Sequence, residues 1–238
     1  MRLFAIGDLH LSGGDDKPMD VFGLQWNRHF DHIRENWLQL VRDEDTVLIP
    51  GDISWAMKLE DAGTDLQEIG SLPGRKILCK GNHDYWWNSV SRVRSILPAG
   101  MTALQHSAAD LGDAVVCGTR GWMISTEEMP LNAQDEKISR REAERLRLAL
   151  KEASAIAAGR PLIVMTHYPP LLAGTTDTVF TRLLEEYRVH TAVYGHLHGN
   201  GIQNGLTGEF RGVHYHLVSC DSIGFSPKEI EIPGFGPE

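Results

Sequence analysis

Cysteine is scarce in this chain. The three residues, Cys79, Cys117 and Cys220, are far apart, odd in number and never arranged as Cys-x-x-Cys. That spacing offers neither a disulfide framework nor a thiolate zinc site. Cys79 and Cys117 lie inside apolar runs and read as small buried hydrophobes. Basic charge is also short. Lys and Arg number 23 against 32 Asp and Glu, a formal net charge of −9, so the basic footprint of a protein that grips duplex nucleic acid is missing. No apolar stretch is long enough to span a bilayer, and the chain does not open on a basic segment followed by a long apolar one. A cytoplasmic, reducing setting without membrane insertion is expected. Internal repeats, low-complexity tracts and linkers are also lacking, and the Pro/Gly-rich tail Pro233–Glu238 is expected to be a loose end. Against these absences, 42% hydrophobic and 23% charged residues in 238 provide for the core of one domain over 1–238.

Short apolar runs rich in Val, Ile and Leu recur: Leu3 to Ile6, Thr46 to Pro50, Lys76 to Cys79, Ala114 to Gly118, Leu162 to Met165 and Thr191 to Tyr194. Their length and composition predict strands, as does Val213 to Val218. Longer segments between them have helical spacing. Trp26, Phe30, Ile33, Trp37, Leu40 and Val41 form an amphipathic stripe. Ile138 to Ala158 is rich in helix formers and stops at Gly159-Arg160-Pro161, and Thr178 to Tyr187 gives a third helix. Strands alternating with helices predict an α/β fold. The glycine-rich part from Gly195 onward breaks the alternation and predicts some antiparallel pairing.

Five small blocks follow the apolar runs in order: Gly7-Asp8-Leu9-His10, Gly51-Asp52, Gly81-Asn82-His83-Asp84, Thr166-His167 and Gly195-His196-Leu197-His198. Asp8 and His10 are two apart, so an extended chain would turn both to one side. Asp52 has two carboxylate oxygens and can bridge two cations, and Asn82 offers a neutral carbonyl oxygen. His167 sits on a turn stiffened by Pro169 and Pro170, and His196 and His198 lie between two glycines. Any one block alone is more often a turn former or a hydrogen-bonded core histidine. Five in order, at strand ends where α/β folds place their sites, supply enough oxygen and nitrogen for two adjacent metal ions, a device for phosphoester hydrolysis.

The ordered set Asp-x-His, Gly-Asp, Gly-Asn-His-Asp, His, Gly-His-x-His resembles the calcineurin-like metallophosphoesterase superfamily. It is filled at every position from Asp8 to His198. The resemblance implies a four-layer α/β/β/α sandwich of two mixed sheets flanked by helices. It implies one metal held by Asp8, His10, Asp52 and His198, and a second held by Asp52, Asn82, His167 and His196. Two divalent ions are expected, manganese or iron, with zinc or cobalt also compatible with the donors. Attack on phosphorus would come from a metal-bridging hydroxide. The resemblance makes His83 the general acid, with Asp84 holding its other ring nitrogen.

The phosphoprotein phosphatases of this superfamily carry Asp-Arg-Gly after the second motif. Here Ile53-Ser54-Trp55 follows Asp52 and the third motif ends in Asp84, which argues against a Ser/Thr protein phosphatase. Arg120 is the candidate for phosphate contact in its place. Trp55, Tyr85, Trp86, Trp87 and Trp122 crowd the motifs, chiefly as packing, with at least one of Tyr85 to Trp87 expected near substrate. His29, His32, His214 and His216 read as structural. The polar loop from His10 to Lys17 is a candidate lid. These readings converge on hydrolysis of a small phosphomonoester or phosphodiester. A single-strand nuclease is the alternative, disfavoured by the acidic balance. A metal-binding scaffold without catalysis is another, disfavoured because no ligand and no acid is missing.

Overall fold

Side chains alternate between two faces along each central strand, and that alternation builds the layers. The computed structural model describes residues 1–12 and 19–234. In chain order the strands are β1 (Leu3–Ala5), β2 (Thr46–Pro50), β3 (Arg75–Cys79), β4 (Met101–Leu104), β5 (Ser107–Asp110), β6 (Val115–Thr119), β7 (Leu162–Thr166), β8 (Thr191–Tyr194), β9 (Gly208–Phe210), β10 (Val213–Leu217) and β11 (Lys228–Glu229). One sheet runs β11-β1-β2-β3-β4, with only β11 antiparallel. The other runs β5-β6-β7-β8-β10-β9, with its outermost strands β5 and β9 antiparallel.

Leu3, Ala5, Leu48, Ile77 and Cys79 of the first sheet meet Val116, Ile163, Met165 and Val193 of the second in one buried cluster. Their neighbours face outward. Phe4, Val47, Ile49 and Leu78 pack against α1 (His29–Leu40), α2 (Leu59–Ser71) and α3 (Val90–Ile96). Val115, Cys117, Val164, Ala192 and Tyr194 pack against α4 (Ala133–Ala157) and α5 (Val179–Glu186). Three apolar interfaces therefore separate four layers, helices–sheet–sheet–helices, as expected. All three cysteines are buried and free.

Several boundaries differ from the sequence reading. The stripe from Trp26 is not one helix. Arg28 takes a left-handed conformation at φ 51°, so α1 starts at His29 and Trp26 belongs to a separate 3₁₀ turn, Leu24–Trp26. Helix α4 begins five residues earlier than Ile138, because the Asn132 side chain accepts from the backbone N–H groups of Gln134 and Asp135 and caps it there. Helices α2 and α3 were not expected. The candidate lid beyond Ser12 and the end of the tail lie in 13–18 and 235–238, outside the described residues.

Lys76 sits on the helix-facing side of β3 with its Nζ donating to the Gly70 and Leu72 carbonyls at the end of α2. Burial pushes this ammonium down to about 8 from 10.5. Between those pH values the unfolded chain holds a proton that the folded one gives up, so this group's contribution to stability rises with pH. Lys76→Met removes the dependence. Urea midpoints should show the parent gaining on the variant from pH 7 to pH 10, and a constant gap would contradict the assignment.

Candidate metal centre

All five motif blocks leave the carboxyl ends of parallel strands. Asp8 and His10 follow β1, Asp52 follows β2, Asn82 and His83 follow β3, His167 follows β7, and His196 and His198 follow β8. Three of these strands belong to one sheet and two to the other, so the site straddles the sandwich at one end.

Asp8 and His10 do not converge through an extended chain. Both lie in the left-handed region, at φ 58° and 46°, and so do Asp52 at 50° and His196 at 73°. Four non-glycine residues in this costly conformation are concentrated here. The turn is held by backbone pairing: Asp8 N–H donates to Gly51 O at 3.0 Å and His10 N–H to Asp52 O at 2.9 Å. Two glycines allow the close approach. A Cβ on Gly81 would strike the Asp52 carboxylate, and one on Gly195 would strike that of Asp8.

His167 Nε2 lies 2.6 Å from Asn82 Oδ1, 3.2 Å from His196 Nδ1 and 3.5 Å from Asp52 Oδ2. The four residues expected around one ion thus meet about a single ring nitrogen. On the other side, His198 Nε2 is 3.4 Å from Asp8 Oδ1 and His10 Nε2 is 3.8 Å from Asp52 Oδ2. Ligand atoms of Asp8, His10 and His198, and of Asp8, Asp52 and His167, fall within 4.8 Å of one another. Among the described residues, the buried ring nitrogens His10 Nδ1 and His198 Nε2 make no hydrogen bond of good geometry, although Asp8 Oδ1 lies 3.4 Å from the latter. Buried polar atoms are rarely left so, and a mixed carboxylate–imidazole–amide set suits a divalent first-row cation. The residues fit a metal group.

Charge is strongly coupled within the cluster. Burial alone would raise Asp8, but His198, His167 and His10 outweigh it and hold the carboxyl well below the usual range. Asp52 goes the other way, raised by burial and by the carboxylates of Asp8 and Asp84. Burial pushes His10 and His167 down and takes His196 down to about 3. Burial disfavours the His198 cation too, yet Asp221 and Asp8 lift it to about 10.

Asp221 is a neighbour of the donor cluster that the sequence motifs do not reveal. It follows β10, accepts from Gly199 N–H at 3.0 Å and faces His198 Nδ1 at 2.8 Å, fixing that ring. A lone Asp after Cys220 gives no motif by which to find it. Trp26, read as a helix-stripe residue, packs edge-on against His198 at 5.5 Å.

The expected Asp84–His83 pair does not form. The Asp84 carboxylate accepts from the backbone N–H groups of Gly81, Asp52, Ile53 and Ser54 and from Trp86 Nε1. With five donors aimed at it, it ties the second motif to the third and has turned away from the imidazole. His83 is half-buried. Its N–H donates to Asp52 Oδ1 at 2.8 Å, its Nδ1 lies 3.4 Å from the Tyr85 hydroxyl, and its ring lies 4.4 Å from Trp55. Burial, then His167, lowers its pKa. Trp86 and Trp87 are buried while Tyr85 is exposed.

The Arg120 guanidinium lies 4.4 Å over Trp122 and 4.0 Å from Glu142 Oε1. Its backbone carbonyl accepts from His167 and Tyr168 N–H and so positions the His167 turn. His29 Nε2 faces Leu9 O at 2.8 Å. Among the described residues no helix is long and apolar enough to cross a membrane.

The family model described as calcineurin-like phosphoesterase matches residues 1–200. No curated protein matches the chain. Two similar solved structures support the fold. The phosphopantetheinyl hydrolase of Mycobacterium tuberculosis aligns with TM-score 0.60 and 15% identity over 100% of this chain and 98% of that one. A protein of unknown function from Aquifex aeolicus aligns with TM-score 0.53 and 14% identity over 96% and 95%.

Proposed function

Because the chain belongs to the calcineurin-like phosphoesterase family, we propose that it is a dinuclear metal-dependent hydrolase of a small phosphomonoester or phosphodiester. The observation that carries the reading is the convergence of seven donor residues from two sheets, one group about His167 Nε2 and one about Asp8, His10 and His198. Asp8, His10, Asp52 and His198 would hold one ion, and Asp52, Asn82, His167 and His196 the other. Manganese or iron is the proposed occupant. When bound, the ions activate water and neutralise charge on the phosphoryl oxygens. The protein residues supply the rest. Asp52 N–H and carboxylate are fixed by Asp84 and His83 N–H, so the bridging group is held before substrate arrives. His83 stands half-exposed at the rim and is assigned protonation of the leaving oxygen; burial lowers its pKa, so the imidazolium would depend on the negative charge of a bound phosphoester beside it. Arg120 is assigned phosphate contact, which it would make by leaving Glu142. The unit is taken as one domain over 1–238, supported by β11 returning to pair with β1, and as cytoplasmic, in keeping with three free buried cysteines.

The test is the ratio of kcat/KM for bis-p-nitrophenyl phosphate over p-nitrophenyl phosphate after stripping and reloading with Mn²⁺. A ratio well above one defines a diesterase and one well below defines a monoesterase. Two bound ions with no rate on either would sink the enzyme reading.

Asp221→Ala tests how the His198 ring is held. Removing a carboxylate that orients a ligating histidine costs about 10–100-fold in metal affinity or activity. The expected loss is in Mn²⁺ affinity by titration, with activity recovering at high Mn²⁺. Unchanged affinity would deny Asp221 this part.

A further inference from the structure

The donor cluster opens onto an apolar cavity. Its volume is about 400 Å³, and His10, His83 and His198 line the side toward the metal centre. The other walls are Met19, Phe22, Trp26 and Trp55. Among the described residues no carboxylate, lysine or arginine lines it, and Gln25 contributes the one amide. The rings are set firmly. Trp55 stacks on His10 at 5.0 Å with 22° between planes, and Trp26 is buried edge-on to His10 and His198. The Trp55 indole N–H is directed at Met19 Sδ, 3.2 Å away, which occupies its donor. Apolar surface continues past the mouth. Val21, Phe22 and Leu24 are 74%, 61% and 90% exposed on the two adjoining 3₁₀ turns, Met19–Phe22 and Leu24–Trp26. Consecutive large apolar residues left in water beside a reactive centre mark a binding surface.

We propose that this cavity receives a hydrocarbon chain carried by the phosphoester, so that the substrate is an alkyl- or acyl-chain phosphoester. This rests on the phosphoesterase reading and adds the substrate class to it. The chemistry of the walls selects the occupant. Beyond the three histidines at the metal side, a nucleobase or sugar would give up several hydrogen bonds to water and find, among the described residues, only the Gln25 side chain in exchange. A flexible chain loses nothing polar, and Met19 and Phe22 can adapt to it. The position favours it too, because the cavity meets the cluster at His10, His83 and His198 and continues to the exposed Phe22 at its lip.

The test is calorimetric binding of n-alkylphosphonates of one to eight carbons to the Mn²⁺-loaded protein, below their aggregation concentrations. These probes are not hydrolysed, so the readout does not depend on turnover. Affinity should rise by about fourfold per methylene over the first several carbons. Phe22→Ser, at an exposed position that folding does not need, should cut the octyl-to-methyl ratio by about tenfold. Octylphosphonate held no tighter than methylphosphonate overturns the inference and leaves the phosphoesterase reading standing. A chain-length slope untouched by Phe22→Ser also overturns it. Failure to bind any phosphonate with two ions present overturns both.

Discussion

Asp52→Asn should leave a folded protein that holds no metal pair and hydrolyses aryl phosphates at least about 10³-fold more slowly, about 4 kcal/mol of transition-state stabilisation. The substitution is nearly isosteric. Asn keeps the Oδ1 acceptor that His83 N–H uses at 2.8 Å, and it keeps the backbone N–H that donates to Asp84. It loses the second anionic oxygen, the one 3.5 Å from His167 and 3.8 Å from His10. Charge in this pocket is crowded, with Asp8 and Asp84 both acting on Asp52. Removing this carboxyl group therefore removes the burial cost and repulsion that already raise its pKa. The melting temperature in chelator should be at least that of the parent, and the rise on adding Mn²⁺ should vanish. Metal content, melting temperature and rate together make the check. A variant that binds two ions and turns over normally would remove Asp52 from the bridging position.

His83→Ala should separate catalysis from metal binding. The imidazole is anchored through its backbone N–H, whereas its ring lies against Trp55 and near Tyr85, so truncation leaves the donor cluster in place. Both ions should remain. Turnover should fall by about 10²–10⁴ on an ester with an alkyl leaving group, as expected for loss of a general acid. On a p-nitrophenyl ester, whose leaving oxygen needs little protonation, the loss should be under about tenfold. A uniform loss across leaving groups would make His83 a binding residue instead.

The central strands were legible because each is a short, mostly apolar run buried on both sides, and both sheets are read that way from Leu3, Val47, Ile77, Val164 and Val193. Edge strands were not. Ser107–Asp110 offers only two alanines and Lys228–Glu229 no apolar residue, too little for a strand signal, and each pairs along the backbone of a neighbour. Helix α2 was hidden by Gly63 and Gly70 and by its acidic face, and its packing on β2 and β3 through Ala62, Leu66 and Ile69 outweighs weak propensity. At the site, the donor residues were legible as types in order. Their conformation was not. Left-handed turns at Asp8, His10, Asp52 and His196 follow from the closure of two sheets, which no local rule encodes. Asp84 was misread for a related reason. Proximity to His83 in sequence suggested a pair, and the four backbone N–H groups that claim it belong to turns that converge only in the folded state.

The donors at Asp8 and His198 lie at nearly opposite ends of the motif order, and one comes from each sheet. A growing chain that has emerged as far as α4 already displays Asp8, His10, Asp52 and Asn82, but none of the three rings supplied by the second sheet. On the proposed ligand sets, such a fragment would hold cations only weakly, through oxygen and one imidazole. Full-strength capture waits for β8, and fixing of His198 by Asp221 waits for β10. On the proposed ligand sets, metal occupancy would be a late event in maturation, and tight uptake of a divalent cation during refolding would serve as a clock for the docking of the two halves of the sandwich.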